Sequence, residues 1–314
     1  MHRGVLIAAA VGAAVIAAVL LNVWLSPAAR NGDLTEPENP AASDEGPRRI
    51  ISMTPSTTEV IFALGLGDRL VGRSRFCDYP PEALDVPEVG GFLDPNYEAI
   101  VALKPDRVLL IPSHDEHKQR LEQLGIPCTV ISQTSLDDIL ASIRTIGEMC
   151  GASDRADALI ASIEERIASV RERVEGLPRP RVLLSVGRDV GAKQIEQVYA
   201  VGRGAFLDDL LEIAGAENIA TEGAAEYPSF TAEAIIRLNP EVIIELVEAL
   251  RPDSGPSEEE LRAAWNGLAS VDAVRTGRVH LLIGDYVSIP GPRVTETLEQ
   301  LVALIHPDAA PPAP

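Results

Sequence analysis

Residues 98–108 read Glu-Ala-Ile-Val-Ala-Leu-Lys-Pro-Asp-Arg-Val, and residues 233–243 read Glu-Ala-Ile-Ile-Arg-Leu-Asn-Pro-Glu-Val-Ile. The second stretch begins 135 residues after the first, and Glu, Ala, Leu and Pro recur at equivalent places without a gap. In each copy an apolar helical pattern ends near the proline, and a strand-like run follows. The repeat predicts two similar halves, each containing a helix that leads into a strand.

The segments around both copies alternate between short apolar strands and amphipathic helices. Strand-like runs at 50–52 and 107–111 flank helical patterns in the first half, and the run at 181–186 restarts the alternation. Such alternation predicts parallel sheets covered by helices on both faces. Between the halves, apolar residues recur every three or four positions from Ser153 to Glu175, which predicts one long amphipathic helix.

The predicted fold class is therefore α/β, with two Rossmann-like lobes whose parallel sheets are joined by one long interdomain α-helix. The predicted segments are a signal peptide or membrane anchor (1–28), a disordered tether (29–47), an N-terminal lobe (48–151), the interlobe helix (152–177), a C-terminal lobe (178–308) and a disordered tail (309–314).

The N-terminus has the features of an exported protein. His2 and Arg3 precede an unbroken apolar run over residues 5–21, and Ser26-Pro27-Ala28 offers a small-x-small cleavage site. The run is also long enough to cross a bilayer, so a cleaved signal peptide and a retained anchor both remain open. We expect a periplasmic or otherwise extracytoplasmic protein, with any membrane contact confined to this N-terminal segment.

Composition and motifs narrow the classes of function. The formal net charge of −20 repels phosphate backbones and argues against a nucleic acid partner. The sequence contains neither a G-x-S-x-G nucleophile elbow nor a G-x-x-x-x-G-K-[ST] phosphate loop, which argues against an enzyme. Export would permit one disulfide among Cys77, Cys128 and Cys150, and the sequence leaves its pairing open.

The segment His114-Asp115-Glu116-His117 follows the predicted strand at 107–111. Open parallel sheets place ligands at the carboxyl ends of their strands, so this segment could hold a metal or offer His114 to a bound metallocofactor. The alternative is a polar surface loop. Aromatic residues are scarce, and several of them lie in two loops, one with Phe76, Tyr79 and Phe92 and the other with Tyr286. Ligand binding and ordinary loop packing are the two explanations for this concentration.

Each repeat begins with a glutamate, Glu98 or Glu233, placed soon after a helix-capping candidate. An acid in the first turn of a helix is stabilised by the helix dipole, which is a sufficient structural explanation. The helix dipole, however, does not require the acid to occupy the same position in both copies. Two equivalent carboxylates would suit two arginine clusters on a symmetric partner, because arginine binds carboxylate in a bidentate way.

These residues resemble the helical-backbone class of periplasmic binding proteins, which serve ABC importers of cobalamin, ferric siderophores and haem. The resemblance covers about residues 49–306 and rests on the two repeats, the long helix, and the motifs Ser-Met-Thr-Pro-Ser-Thr-Thr-Glu (52–59), Cys-Asp-Tyr-Pro-Pro (77–81) and Gly-Asp-Tyr (284–286). It implies a non-enzymatic receptor with no cofactor of its own, whose ligand lies between the lobes. It also implies that Glu98 and Glu233 dock the lobes on arginines of a permease dimer, which acts with an ATPase.

Within this class the turn at 77–81 looks most like that of vitamin B12 binders, so cobalamin is the leading ligand, with a ferric siderophore or haem as the alternative. The resemblance places Phe76 and Phe92 against a corrin and Asp285 in contact with it. A third cleft aromatic of the class is replaced near Ile111. The predicted ligand-binding residues are Phe76, Tyr79, Phe92, His114, Asp285, Tyr286 and Arg293. The arginines available to an anionic siderophore are Arg73, Arg75, Arg188, Arg203 and Arg293. A nucleotide-using two-domain enzyme and a membrane-anchored adhesion or sensor module are the rival classes.

Overall fold

Four short strands form the first sheet, and all of them are parallel. In a computed structural model, which describes residues 46–189, 194–221, 223, 225–248 and 256–309, their order is β2-β1-β3-β4. The strands are β1 (Ile50–Ser52), β2 (Leu70–Arg73), β3 (Arg107–Leu110) and β4 (Cys128–Val130). The helices of this half are α1 (Pro55–Ala63), α2 (Tyr97–Ala102), α3 (Asp115–Gln123) and α4 (Leu136–Met149). The parallel sheet predicted for the first half is confirmed.

A single long helix, α5 (Ser153–Val174), follows the first sheet, as the sequence predicts. Its buried face consists of apolar residues at three- and four-residue steps, among them Ile160, Ile163 and Ile167. This face packs on α4 and, in the second half, on α6 (Phe206–Ile213) and α10 (Val294–Ile305). One hydrophobic cluster therefore runs from the first half through α5 into the second.

The second sheet has six strands and is mixed, which corrects the prediction of a parallel sheet in both lobes. Its order is β10-β9-β5-β6-β8, with β7 also paired to β5. The strands are β5 (Arg181–Arg188), β6 (Gln197–Ala200), β7 (Glu217–Asn218), β8 (Ser229–Thr231), β9 (Val242–Val247) and β10 (Val279–Ile283). The remaining helices are α7 (Ala232–Leu238), α8 (Glu258–Ala263) and α9 (Asp272–Arg275).

The antiparallel part of this sheet has a simple cause. Strands β5 and β6 are separated by only a short connection, and β6 pairs antiparallel with both β5 and β8. Parallel neighbours require a long crossover, so a short return can produce only an antiparallel pair. Residues of β6 alternate between exposed and buried, because only one face of this edge region packs on the core.

The repeated stretch occupies equivalent positions in the two halves. Helix α2 leads into β3, which pairs in parallel with β1, and α7 leads into β9, which pairs in parallel with β5. Lys104 and Asn239, the equivalent residues after each helix, both adopt left-handed backbone conformations, with φ of 47° and 46°. The predicted duplication is thus present in the backbone.

The second part of the repeat has a structural role in each half. The carboxylate of Asp106 accepts hydrogen bonds from the backbone N–H groups of Arg48 and Arg49, just before β1. The equivalent Glu241 accepts one from the backbone N–H of Arg181, at the start of β5. Each acid therefore ties the repeat to the first strand of its own sheet.

The ends of the chain lie outside the described residues. These are the predicted signal peptide or anchor at 1–28, the tether up to residue 45 and the tail from residue 310. All described residues belong to one compact unit, 42–314. Within the described ranges, no helix combines the length and apolar character needed to cross a membrane. Cys77, Cys128 and Cys150 are all free thiols.

Candidate functional site in the interlobe cleft

A cavity of about 710 Å³ lies between the two halves, at the carboxyl ends of strands from both sheets. The first half contributes residues that follow β1, β3 and β4, and the second contributes residues that follow β9 and β10. This is where open α/β sheets bind ligands, because loops from several strands converge there. The lining residues are Thr54, Pro55, Ser56, Phe92, Ile111, Pro112, Ser113, Gln133, Thr134, Phe206, Glu226, Tyr227, Glu248, Ser288, Ile289 and Pro290.

The wall from the first half carries hydroxyl and amide groups that are already held in place. The hydroxyl of Ser56 donates to Oε1 of Gln133, and Nε2 of Gln133 donates to Oγ of Ser142 at 3.2 Å. Ser56 and Gln133 are both buried. Because their partners fix their rotamers, this wall presents a defined set of polar groups beside the apolar face of Phe92.

The wall from the second half carries two carboxylates and two aromatic rings. Oε1 of Glu248 accepts a hydrogen bond from the hydroxyl of Ser288 at 2.7 Å, so its orientation is fixed. Glu226 precedes Tyr227, and burial, assisted by the charge of Glu226, raises the pKa of the Tyr227 hydroxyl. Tyr227 therefore stays protonated near neutral pH and can donate a hydrogen bond. Among the described lining residues, none is an arginine, lysine or histidine.

Outside the cavity lining, Arg293 connects the two halves of the molecule. Its guanidinium donates to both carboxylate oxygens of Glu59 on α1, at 2.6 and 3.1 Å, and to Asp285 at 3.0 Å. The ring of Tyr79 lies 3.7 Å below it, and that of Tyr286 lies 5.6 Å away. We refer to Glu59, Tyr79, Asp285, Tyr286 and Arg293 as the arginine cluster.

Electrostatics of the arginine cluster follow from its burial. Burial raises the pKa of Glu59, and the hydrogen bond and charge of Arg293 oppose this rise. Burial alone would lower the pKa of Arg293, but its hydrogen bonds to Glu59 and Asp285 outweigh burial and raise the pKa above its ordinary value. Arg293 is therefore charged, and its charge is already balanced by residues of the protein.

Apart from His114, the predicted ligand-binding residues fall into three places. Phe92 lines the cavity, and so does Ile111, the position at which the sequence suggested that an aromatic had been replaced. Tyr79, Asp285, Tyr286 and Arg293 belong to the arginine cluster. Phe76 is more than half exposed and does not line the cavity.

His114 lies behind the cavity wall and is not part of a surface loop. Its side chain is 1% exposed and its ring packs against Phe92, with the ring centroids 4.3 Å apart. The surface-loop alternative is wrong for this residue, because a helical turn ends at His114 directly before α3 and the side chain is buried. Within the described ranges, no group of three or more His, Cys, Asp or Glu residues is arranged to hold a metal ion.

The protonation state of His114 is set by its surroundings. Nδ1 accepts a hydrogen bond from the backbone N–H of Ile111 at 3.3 Å, and Nε2 is buried without a partner in the described part of the chain. Burial, together with the nearby His117, lowers the pKa of His114 from 6.5 to about 4. His114 is therefore neutral at pH 7 and supports the ring of Phe92 as a packing partner.

A pH-dependent loss of stability should follow from the burial of His114. In the unfolded chain the imidazole binds a proton below pH 6.5, whereas the folded protein resists protonation down to about pH 4. Its contribution to stability is complete above pH 6.5 and is lost as the pH falls towards 4, by at most about 3 kcal/mol. His114→Asn keeps an acceptor for Ile111 and removes this titration. Urea unfolding at pH 7.5 and 4.5 should show a smaller loss for the variant; equal losses would contradict the assignment.

Four of the five arginines considered for an anionic ligand are paired with carboxylates. Arg188 and Glu245 form a buried pair at 2.8 Å, and Arg293 is paired with Glu59. Arg73 lies 3.5 Å from Asp78, and Arg75 lies 2.7 Å from Asp94. The fifth, Arg203, is exposed and is not part of the cavity lining.

The sequence did not single out Phe206, Tyr227, Glu226, Glu248 or Gln133 as cleft residues. Phe206 begins helix α6, and Tyr227 and Glu226 lie in a stretch without a motif. Gln133 follows β4 and Glu248 follows β9, so the rule that places ligands after the carboxyl ends of parallel strands, already applied to His114, is the signal that could have found them.

Glu98 and Glu233 lie in the first turns of α2 and α7, and both are exposed. Caps at Asn96 and Thr231 accept hydrogen bonds from the backbone N–H groups of Ala99 and Ala234. Hydrogen bonds from its own backbone and from Thr231 lower the pKa of Glu233. In the described part of the chain, no cationic side chain pairs with either carboxylate.

Known proteins share this architecture. Residues 50–286 match the family model of periplasmic binding proteins. The chain belongs to this family. An ABC transporter substrate-binding lipoprotein of Bacillus subtilis is 32% identical over 271 residues, which cover 83% of this chain and 81% of the relative. A cobalamin-binding protein of Halobacterium salinarum is 30% identical over 284 residues, covering 87% of this chain and 74% of the relative.

A solved structure of a binding protein has the same architecture. The haem-binding protein RhuT of Roseiflexus superposes with a TM-score of 0.70 at 29% identity, covering 85% of this chain and all of that one. The predictions of a two-lobed α/β fold and of a substrate-binding protein for ABC import are thus confirmed. All three of these similar proteins are binding proteins.

Proposed function

We propose that this substrate-binding protein captures cobalamin, or a closely related neutral or cationic metal chelate, in the interlobe cavity and delivers it to a permease with its ATPase. The observation that carries the ligand choice is the charge of the cavity wall. Its described lining includes Glu226 and Glu248 but no basic side chain. An anionic ligand would have to enter a negatively charged site without a counter-charge, which is unfavourable.

The chemistry of the lining also suits an amide-rich chelate. Cobalamin carries peripheral amides that donate hydrogen bonds to carboxylates and accept them from hydroxyl groups. Glu248 and Glu226 supply the acceptors, and Ser56 supplies a fixed polar group on the opposite wall. The rings of Phe92, Phe206 and Tyr227 offer apolar faces to a macrocycle. The 30% identity to a cobalamin-binding protein supports the same choice.

Haem and anionic siderophores are the main rivals, because a similar structure binds haem. Haem bears two propionates, which favour basic partners. Calorimetric titration of the purified protein with cyanocobalamin, haem, the cationic chelate ferrioxamine B and an anionic ferric catecholate separates these ligands. We expect heat with cyanocobalamin and none with haem or the catecholate. Tight binding of haem without binding of cyanocobalamin would overturn the ligand choice.

The two cleft glutamates provide the second arm of this experiment. Glu226→Gln combined with Glu248→Gln keeps the hydrogen-bond acceptors but removes both charges, and should weaken cyanocobalamin binding by about tenfold. Glu259→Gln, an exposed glutamate of α8 outside the cavity, is the matched control. An unchanged affinity in the double variant would show that these carboxylates do not contact the ligand.

Delivery to the permease is proposed to occur through Glu98 and Glu233, one on each lobe. Both carboxylates are exposed and lack a cationic partner in the described residues, so they are available to arginines of another protein. Substrate-binding proteins of ABC importers work outside the cytoplasm. We assign residues 1–28 the role of export signal or membrane anchor.

A further inference from the structure

Helices α2 and α7, which carry Glu98 and Glu233, each expose one large aliphatic side chain, and the two side chains lie at equivalent positions. Val101 is 46% exposed on α2, and Ile236 is 43% exposed on α7. Position 236 lies 135 residues after position 101, the same offset that relates Glu233 to Glu98. Isolated exposed aliphatic residues are ordinary on protein surfaces, but a pair duplicated together with two unpaired carboxylates is not explained in that way.

Within each helix, the carboxylate and the aliphatic side chain share one face. Glu98 and Val101 are three residues apart, as are Glu233 and Ile236, and residues at this spacing are neighbours on a helix surface. The residue before each aliphatic one, Ile100 or Ile235, is fully buried against its lobe. The burial of that neighbour orients the helix, so the exposed face is fixed by the fold.

We propose that Glu98 with Val101, and Glu233 with Ile236, form two equivalent docking points, each combining a carboxylate with an apolar contact. Their partner is the permease dimer, whose two identical subunits would each present a basic group beside an apolar recess. This inference rests on the proposed docking of the two glutamates and adds the apolar half of the interface. Helices α2 and α7 occupy equivalent places, because each precedes the strand that pairs with the first strand of its sheet. This internal symmetry matches the twofold symmetry of a permease dimer.

The two halves of a docking point contribute differently. The carboxylates attract and orient the basic groups of the partner. The net charge of −20 on the whole protein also steers a basic surface towards it over longer distances. Apolar contacts remove surface from water and slow dissociation. A purely electrostatic interface would instead weaken steeply with salt.

The test measures binding of the cyanocobalamin-loaded full chain to its cognate permease–ATPase complex in nanodiscs. Val101→Ser with Ile236→Ser should weaken this binding by about tenfold through faster dissociation, while the affinity for cyanocobalamin stays within about twofold of wild type. Leu124→Ser is the control, because Leu124 is 52% exposed and lies outside α2 and α7.

The outcomes separate the two levels of the proposal. Normal binding of the Val101→Ser/Ile236→Ser variant, with loss in Glu98→Ala/Glu233→Ala, overturns the apolar contribution and leaves the carboxylate docking intact. Normal binding of both double variants overturns the proposed docking itself. An equal loss in Leu124→Ser also overturns the inference, since the effect would then not depend on the duplicated positions.

Discussion

Replacing Arg293 by methionine is expected to lower the free energy of unfolding by about 3–5 kcal/mol at pH 7. The substitution leaves the carboxylate of Glu59 buried on α1 without the guanidinium that donates to both of its oxygens. Removing one member of a buried ion pair is strongly destabilising because the other charge remains desolvated. Urea unfolding followed by circular dichroism measures the change.

The size of this effect should depend on pH. Burial already raises the pKa of Glu59, and Arg293 opposes this rise. Without Arg293 the pKa of Glu59 rises further, so the folded variant binds a proton that the unfolded chain lacks above pH 4.5. The deficit relative to wild type should therefore shrink as the pH falls and Glu59 becomes neutral.

Two controls make the prediction specific to the buried pair. The double variant Glu59→Met/Arg293→Met removes both charges of the pair, so neither is left buried alone. It should therefore be more stable than Arg293→Met. Arg75→Met removes the partner of Asp94 at an exposed pair and should cost less than about 1 kcal/mol. A deficit below about 1 kcal/mol for Arg293→Met would contradict the structural importance of the pair.

Arg293 also bears on how the two lobes move. Its contacts with Glu59 and Tyr79 join the second half of the molecule to the first, and a Cβ placed on Gly291 would lie 3.3 Å from Glu59 Oε2. The long helix α5 packs on helices of both halves. These two connections lie in different parts of the chain, and both oppose large changes in lobe orientation.

Local sequence pattern was sufficient for the long helix and the repeat. The stripe of Ile160, Ile163 and Ile167 has a helical period, and the duplicated Leu-x-Pro-Asp/Glu motif carries its own turn chemistry, seen in the matched backbone of Lys104 and Asn239. Strand β6 was missed because only two of its residues face the core. Such a short alternation is hard to distinguish from a loop.

The site was less predictable because it depends on contacts between distant residues. Arg293 and Glu59 are 234 positions apart, so no local pattern could show that the arginine predicted to bind ligand is already paired. His114 was singled out by its place after a strand, but its burial against Phe92 depends on tertiary packing. Glu226 and Tyr227 reach the cleft only because β8 returns beside β6.

Removing both docking carboxylates, by Glu98→Ala with Glu233→Ala, is expected to abolish import of cyanocobalamin while leaving its affinity for the purified protein unchanged. Each charge-assisted carboxylate–arginine pair at an interface costs about 2–5 kcal/mol when one partner is truncated. Loss of both should therefore reduce occupancy of the permease below a measurable level. Uptake of labelled cyanocobalamin by cells carrying the cognate transporter, together with calorimetry, measures the two effects separately.

The competing explanation is that each glutamate only stabilises its helix through the dipole, a contribution of a few tenths of a kcal/mol up to about 1. Glu116→Ala is the matched control, since Glu116 is an exposed first-turn acid of α3 that lies outside the duplicated stretch. If the dipole were the whole role, Glu98→Ala/Glu233→Ala would import normally, as the control should. A fall in ligand affinity would instead place these residues in the binding site and contradict docking. Loss of import at unchanged affinity and stability is the one result that requires a partner with two matching basic sites.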